Sequence, residues 1–372
     1  MKIALLTMTF NNKYGGYLQA YSLMESLKKL GHEPELLFVQ LRNNDFKSSI
    51  KKYLKKYVLG YLKPKWNYER YQNTIEKNTN YFSDTYILPK TKPIYNKNDF
   101  LQYEDKYNAY IIGSDQVWRP TMYKYIDEAF FGFVKNKNAT LLSYAASFGL
   151  DTWEYTDEQT NRFKEQLKRF RAISVREDSG IHLCKRYFES EVEHVLDPTM
   201  LLSIEEYRNI IVKENEPKSK GELLTYILDE TEEKIYLKEL ISKELDLKIF
   251  AVNVKSKDPE EKLEDRIYST VTSWLRGFDD AKYIVTDSFH GCVFSILFNK
   301  PFIVYGNKRR GMSRFDSLLK MFDLEDRLVV TKEDITIDKI KKEIDWIEVN
   351  KKLKKYINDS IEYLKTNLKS EI

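Results

Sequence analysis

The sequence predicts an α/β protein of two doubly wound halves, each a parallel sheet flanked by helices, facing each other across a cleft. Three observations lead there. The chain has 372 residues, comfortable for two domains. Short apolar runs of strand length alternate with amphipathic helical stretches, the pattern of a parallel sheet. That alternation breaks at a polar stretch with Pro and Gly, residues 213–221, and then restarts. The expected division is an N-terminal domain over 1–212, a C-terminal domain over 213–334, and terminal helices over 335–372 packing back on the N-terminal domain.

The elements follow in order. Residues 3–7 are a continuous apolar run and read as a first buried strand. Residues 11–16 are a turn-rich break. Residues 17–30 place Leu18, Tyr21, Leu23, Leu27 and Leu30 on one helical face, and Gly31 closes that helix. A second strand is expected at 35–39. Residues 45–100 are basic and aromatic, and read as an inserted helical excursion. Strands return at 109–112, 140–144, 172–175 and 192–196, with an amphipathic helix at 157–170. Beyond the linker, strands are expected at 223–228, 248–253, 283–286 and 301–305. Helices are expected at 232–245, 270–278 and 292–298. The stretch from 335 onward is charged and helical.

Composition narrows the function classes. Lys and Arg total 61 against 57 Asp and Glu, so no global field draws the chain to nucleic acid. Residues 47–65 interleave Lys with Tyr, Leu and Val at near-helical spacing. They read as a solvated amphipathic helix, or as a patch resting on an anionic membrane surface. Cys184 and Cys292 lie far apart and form neither a disulfide framework nor a metal spacing. A reducing, cytoplasmic setting is expected. No apolar run reaches the ~18 residues of a membrane span. The N-terminus runs straight into polar residues and reads as a strand, not a signal peptide. Neither a metal nor a cofactor is expected.

The chemistry gathers where strands end. Open α/β sheets bind ligands outside the carboxyl ends of their strands, so two facing halves bring such ends to one cleft. The first strand leads to Tyr14-Gly15-Gly16 and Gln19. Paired glycines before a helix let a ligand approach the backbone, although a plain turn looks the same. Residues 111–118 run Ile-Ile-Gly-Ser114-Asp115-Gln-Val-Trp118; a helix-capping Asp explains Asp115 but not the whole cluster. Residues 143–149 set small residues, Ser147 among them, at another strand end. Arg176 stands just past the strand at 172–175, suited to a bidentate grip on phosphate or carboxylate, or to a salt bridge with Glu177 or Asp178. Residues 283–291 are the sharpest: a buried strand ends in Thr-Asp-Ser288, and a helix starts at His290 or Gly291. Of four histidines, only His290 sits in a polar strand-end cluster, where imidazole can exchange a proton near neutrality. Downstream, Lys308, Arg309, Arg310 and Arg314 read as a phosphate clamp or mobile lid.

With these segments, and with HVLDPTML at 194–201, the sequence resembles the polysaccharide pyruvyl transferase family over about residues 3–320. The resemblance implies a glycosyltransferase-B-like fold of two Rossmann-like halves. It also implies transfer of the enolpyruvyl-derived group of phosphoenolpyruvate onto two sugar hydroxyls as a ketal. It puts His290 at the family's catalytic or phosphate-contacting histidine and Arg176 at a donor-binding arginine. Where many relatives carry Arg-Leu-His, this chain has Ser288-Phe289-His290, so Ser288 with Arg309, Arg310 and Arg314 would hold the donor. Asp115 would orient or deprotonate a hydroxyl. Tyr14, Gly15, Gly16, Gln19, Ser114, Trp118 and Ser147 would shape the acceptor side. The implied partner is a saccharide or lipid-linked oligosaccharide of envelope polysaccharide assembly. Two alternatives remain open: a nucleotide-sugar-dependent glycosyltransferase on the same scaffold, and a non-catalytic carbohydrate-binding relative.

Overall fold

The computed structural model describes residues 1–40, 71–256, 258, 261–306 and 311–369. The basic stretch at 47–65, with its expected membrane contact, lies outside the described residues, as do Lys308, Arg309 and Arg310.

Both halves are built on parallel sheets. The first has the order β2-β1-β3-β4, with β1 Lys2–Leu6, β2 Glu33–Leu36, β3 Ala109–Ile112 and β4 Thr140–Ser143. A short pair, β5 Ser174–Val175 and β6 Glu193–His194, extends it through parallel bridges Leu142–Ala172 and Ala146–Val175. The second sheet has the order β11-β10-β9-β7-β8, with β7 Leu223–Tyr226, β8 Ile249–Ala251, β9 Tyr283–Thr286, β10 Phe302–Tyr305 and β11 Leu328–Val329. β1, β3, β7, β9 and β10 are almost wholly buried, which is why they read as continuous apolar runs. Each sheet reverses its winding once, between β1 and β3 and between β7 and β9.

Several boundaries differ from the sequence reading. The first helix is Tyr14–Lys29, so Gly15 and Gly16 lie in its first turn, not in the turn before it. The helix after β9 is Phe289–Leu297, three residues earlier than periodicity suggests, because Ser288 caps it. The second strand ends at Leu36. Within the expected excursion, a helix covers Lys77–Tyr86.

One apolar core joins the two halves: Tyr14, Leu18, Leu196, Met200, Tyr207, Trp274, Phe289 and Phe294 belong to a single buried cluster. Tyr14 reaches across most directly. Its ring lies 5.9 Å from Trp274 and 6.2 Å from Tyr226, and its hydroxyl donates to the Val252 carbonyl at 3.3 Å. The long helix Trp346–Asn367 touches both halves. Tyr363 donates to the Ser143 carbonyl (2.8 Å), and Ser360 Oγ accepts from Leu196 N (3.0 Å). Further up the same helix, Tyr356 packs edge-on against Phe322, and Lys352 pairs with Asp323.

Candidate active site in the cleft

A cleft of about 330 Å³ opens where the two winding reversals face each other. Lys13, Gly15, Gly16, Asp115, Gln116 and Arg119 line it from the ends of β1 and β3. Tyr226, Leu228, Asp287, Ser288, Phe289 and His290 line it from the ends of β7 and β9, and Arg314 and Phe315 come from the helix Ser313–Phe322.

The floor is an ion cluster. Arg176 is buried, and each end of its guanidinium is held by a carboxylate: Nη1 lies 2.8 Å from Asp197 Oδ2, and Nη2 lies 3.1 Å from Asp115 Oδ1. Neither partner is the neighbouring Glu177 or Asp178 that sequence proximity suggests. Glu177 instead binds the chain over β4, accepting from Ser147 Oγ, Phe148 N and Gly149 N at 2.9–3.1 Å. Burial opposes the Arg176 charge, but Asp115 and Asp197 more than offset it and raise its pKa. Burial likewise opposes ionisation of Asp197 and Asp115. His290 and Arg176 outweigh it at Asp197, and Arg176, His290 and Arg314 at Asp115, so both carboxyls stay below their usual range.

His290 enters from the other half. Its Nε2 is buried and faces the same Asp197 Oδ2 that holds Arg176, at 3.6 Å. The ring packs against the first turn of the helix Tyr14–Lys29. A Cβ added at Gly15 would stand 2.1 Å from His290 Cγ and 2.2 Å from Nδ1, so only glycine admits the ring. Nε2 faces Asp197 from just beyond hydrogen-bond range, and Nδ1 lies on the Gly15 side. Ser288 caps the His290 helix by accepting from Gly291 N (3.4 Å), and its own N–H donates to Thr286 Oγ1 (3.1 Å). Asp287 is locked beneath. It accepts from Leu228 N, Asp229 N and the buried Lys234 ammonium at 2.7–3.1 Å, which fixes the end of β9 against the end of β7.

Arg314 is buried at the rim, 5.8 Å from the Phe289 ring; Arg176 lies 4.4 Å from the same ring. Burial, with Arg176 nearby, pulls the Arg314 pKa below its ordinary value, so an incoming anion would relieve its environment.

His290, Asp115, Ser288, Arg314, Gly15 and Gly16 therefore share the cleft, with Arg176 beneath it. Five of the expected acceptor-side residues do not line it. Gln19 is fully buried, donating to Thr7 Oγ1 (2.7 Å) and accepting from Ser114 N (3.0 Å). Ser147 is consumed by Glu177, and Tyr14 by the core between the halves. Trp118 stacks on Phe130 at 5.2 Å inside the N-terminal half. Ser114 is buried too, with its hydroxyl 3.0 Å from the Ala145 carbonyl and 3.4 Å from Asp197 Oδ2. These polar groups are spent on buried groups of the chain itself, which would otherwise be unsatisfied. The residue that sequence reasoning missed is Asp197. Its only signal is an Asp-Pro directly after a short strand. Its role depends on Arg176 and His290 arriving from elsewhere in the chain. Thr199 fixes it further, donating from N (3.0 Å) and Oγ1 (2.7 Å) to Oδ1.

Two parallel-sheet halves with a polar cleft at their facing strand ends make a scaffold of the glycosyltransferase-B type. The fold is similar to that of the UDP-GlcNAc 2-epimerase from Neisseria meningitidis bound to UDP-GlcNAc (TM-score 0.54, 11% identity, 99% of each chain covered). It is also similar to S. aureus MnaA in its co-structure with UDP (TM-score 0.49, 14% identity, 99% of this chain and 91% of that one). A search of curated proteins gives no match. The family model for polysaccharide pyruvyl transferase matches residues 14–309, and the chain belongs to that family. It is a transferase that acts in polysaccharide modification. No helix among the described residues is long and apolar enough to cross a membrane.

Proposed function

We propose that the cleft takes phosphoenolpyruvate as donor and builds a pyruvate ketal on two hydroxyls of an envelope or exopolysaccharide sugar. The observation that carries this reading is the meeting of His290 with the Asp197–Arg176 pair beside Arg314, in one polar cleft between the halves.

The reaction needs a proton on the donor's methylene carbon, which makes C2 electrophilic. One sugar hydroxyl adds to C2 and loses its proton. The bond from C2 to the phosphate oxygen then breaks, the second hydroxyl attacks C2, and the ring closes. Of the two hydroxyl protons, one ends on the new methyl group and the other leaves with phosphate. His290 is the shuttle, taking a proton from a hydroxyl and giving it to the methylene carbon through Nδ1. Asp197 positions the ring from the Nε2 side. Arg314 takes the donor's anion, helped by the start of the helix Phe289–Leu297. Asp115, held ionised below the usual carboxylate range, is a weak proton acceptor and orients a hydroxyl instead. The test is release of inorganic phosphate with a mass-shifted acceptor when phosphoenolpyruvate is the only donor; no phosphate release from any envelope saccharide overturns the proposal.

One observation favours a second reading. Arg176, the donor-binding position by resemblance, is already satisfied by two carboxylates, and Ser288 stands where relatives carry arginine. A nucleotide-sugar donor would need less positive charge at that point. Calorimetric binding of a nucleotide sugar with none of phosphoenolpyruvate would select this alternative.

A further inference from the structure

The turn after β3 puts two neighbouring side chains on the cleft wall, Asp115 and Gln116. The surroundings of Gln116 fix which end of its amide faces inward. Arg119 Nη1 stands 3.1 Å from Gln116 Oε1, and Arg119 Nε is itself held by Glu154 Oε2 at 2.9 Å. A guanidinium only donates, so the atom that meets it is the amide oxygen. The other terminal atom, Nε2, is engaged by no group among the described residues.

The space for that orientation comes from Gly149. It has φ 76°, and a Cβ there would stand 2.2 Å from Gln116 Oε1. Its N–H is bonded to Glu177 Oε1 (3.1 Å) and Ser147 Oγ (3.0 Å), which holds the backbone behind the amide in place. The turn in front is pinned as well. Asp115 has φ 74°, a conformation aspartate tolerates, and its carbonyl accepts from Val117 N (2.7 Å) and Ser147 N (3.0 Å).

Asp115 is the complement of this amide. The hydrogen bonds its carboxylate accepts among the described residues come from Arg176 Nη2 (3.1 Å) and Gln116 N (2.9 Å), and both go to Oδ1, which leaves Oδ2. Lys13, Arg176, His290 and Arg314 all favour its ionised form. An ionised carboxylate only accepts, and an amide nitrogen only donates. A group that meets both must bring a hydrogen and a lone pair. A hydroxyl brings them. A phosphate dianion or a carboxylate has no hydrogen for Asp115, whatever the cations around it.

We propose that Gln116 is a specificity-determining residue for the acceptor: its Nε2 donates to a sugar hydroxyl whose own hydrogen goes to Asp115 Oδ2. The inference rests on the reading of the cleft as a sugar-modifying site. Contacts run from His290 to Asp197, Arg176, Asp115 and then Gln116, so Gln116 stands at the end of the series away from the imidazole. The hydroxyl it holds is therefore not one of the pair that forms the ketal, and the acceptor sugar must carry at least one free hydroxyl beyond that pair.

The test uses the full chain. Saturation-transfer NMR titrates the methyl glycosides of glucose, galactose, mannose and N-acetylglucosamine, and calorimetry titrates phosphoenolpyruvate. Wild type is expected to bind at least one glycoside. Gln116→Met keeps the length of the side chain and loses the donor. It should weaken that glycoside by about 3- to 10-fold, the worth of one neutral hydrogen bond, and leave the affinity for phosphoenolpyruvate unchanged. Gln116→Glu separates recognition from packing, because it still offers Arg119 an oxygen but has no hydrogen for a ligand. It should lose the glycoside as Gln116→Met does, whereas a purely structural glutamine would be rescued by it. Absence of binding by every glycoside, full glycoside binding by Gln116→Glu, or equal loss of glycoside and phosphoenolpyruvate in Gln116→Met overturns the inference. Glycoside binding weakened in both variants, with no phosphoenolpyruvate binding by wild type, keeps it and removes the ketal reading. Phosphoenolpyruvate binding and phosphate release with both variants unaffected does the reverse.

Discussion

The two walls of the cleft are built on opposite plans. On the N-terminal side, Asp115, Arg176 and Asp197 satisfy one another in near-complete burial, and Thr199 and Ser114 take up what remains of Asp197. On the C-terminal side, the buried His290 Nε2 stands just beyond hydrogen-bond range of Asp197, and burial weakens the hold of Arg314 on its charge. The first wall is tied together by its own ion pairs; the second brings an imidazole that faces Asp197 and an arginine whose charge burial disfavours. Two buried arginines that contact the same Phe289 ring therefore have different work. Arg176 is held by Asp197 and Asp115, whereas Arg314 stands at the rim, where the proposed donor would meet it.

Replacing His290 tests the C-terminal wall most severely. His290→Ala should cut turnover by ~10²–10⁴-fold with an unchanged circular dichroism spectrum, because a lost proton shuttle is a chemical defect and not a folding one. The N-terminal wall should fail differently. Asp197→Ala leaves Arg176 with one partner in a buried site and should destabilise the fold by about 3–5 kcal/mol, read by denaturant unfolding. If Asp197→Ala loses activity with full stability, the contrast between the walls breaks. Arg314→Gln is the sharpening experiment. It should weaken donor binding by about 10- to 100-fold in calorimetry, the worth of a charge-assisted hydrogen bond, and barely move the unfolding midpoint.

Gly15→Ala probes the seam where the walls meet. The new methyl must push the His290 ring away, and turnover should fall on the order of tenfold from misplacement alone. The smallest effect concerns acid. Asp115 and Asp197 titrate below their unfolded values, so the stability they supply is complete above about pH 4, the unfolded carboxyl value, and is lost as pH falls through their lower folded values. Between pH 7 and pH 4.5 that contribution should stay constant. Wild type should lose its advantage over Asp197→Asn only below about pH 4 in urea unfolding curves.

The sequence shows more of the scaffold than of the site. Strands β3 and β9 are readable to the residue because a strand buried on both faces leaves an uninterrupted apolar run. His290 is readable because it follows such a run directly. What misleads is that a polar residue at a strand end has two possible duties. Gln19, Ser114 and Ser147 look like ligand contacts, yet each satisfies buried groups of the chain itself. No local pattern separates the cases, since the partner lies up to about a hundred residues away, as with Gln19 and Ser114. Asp197 shows the same limit from the other side. Its partners Arg176, Ser114 and His290 come from three separate segments, and only the folded chain brings them together.

The helix Trp346–Asn367 bears on all of this from a distance. It is anchored by Ser360 and Tyr363 behind β4 and the segment before Asp197, and by Lys352 and Tyr356 on the opposite half. A two-lobed protein with such a brace across its back behaves less like a pair of jaws than like a hinged book bound at the spine. Such a brace, together with the shared core, ties the half that carries the imidazole to the half that carries the carboxylate. Trimming the chain's last helix would then slacken the chemistry without removing one group from it.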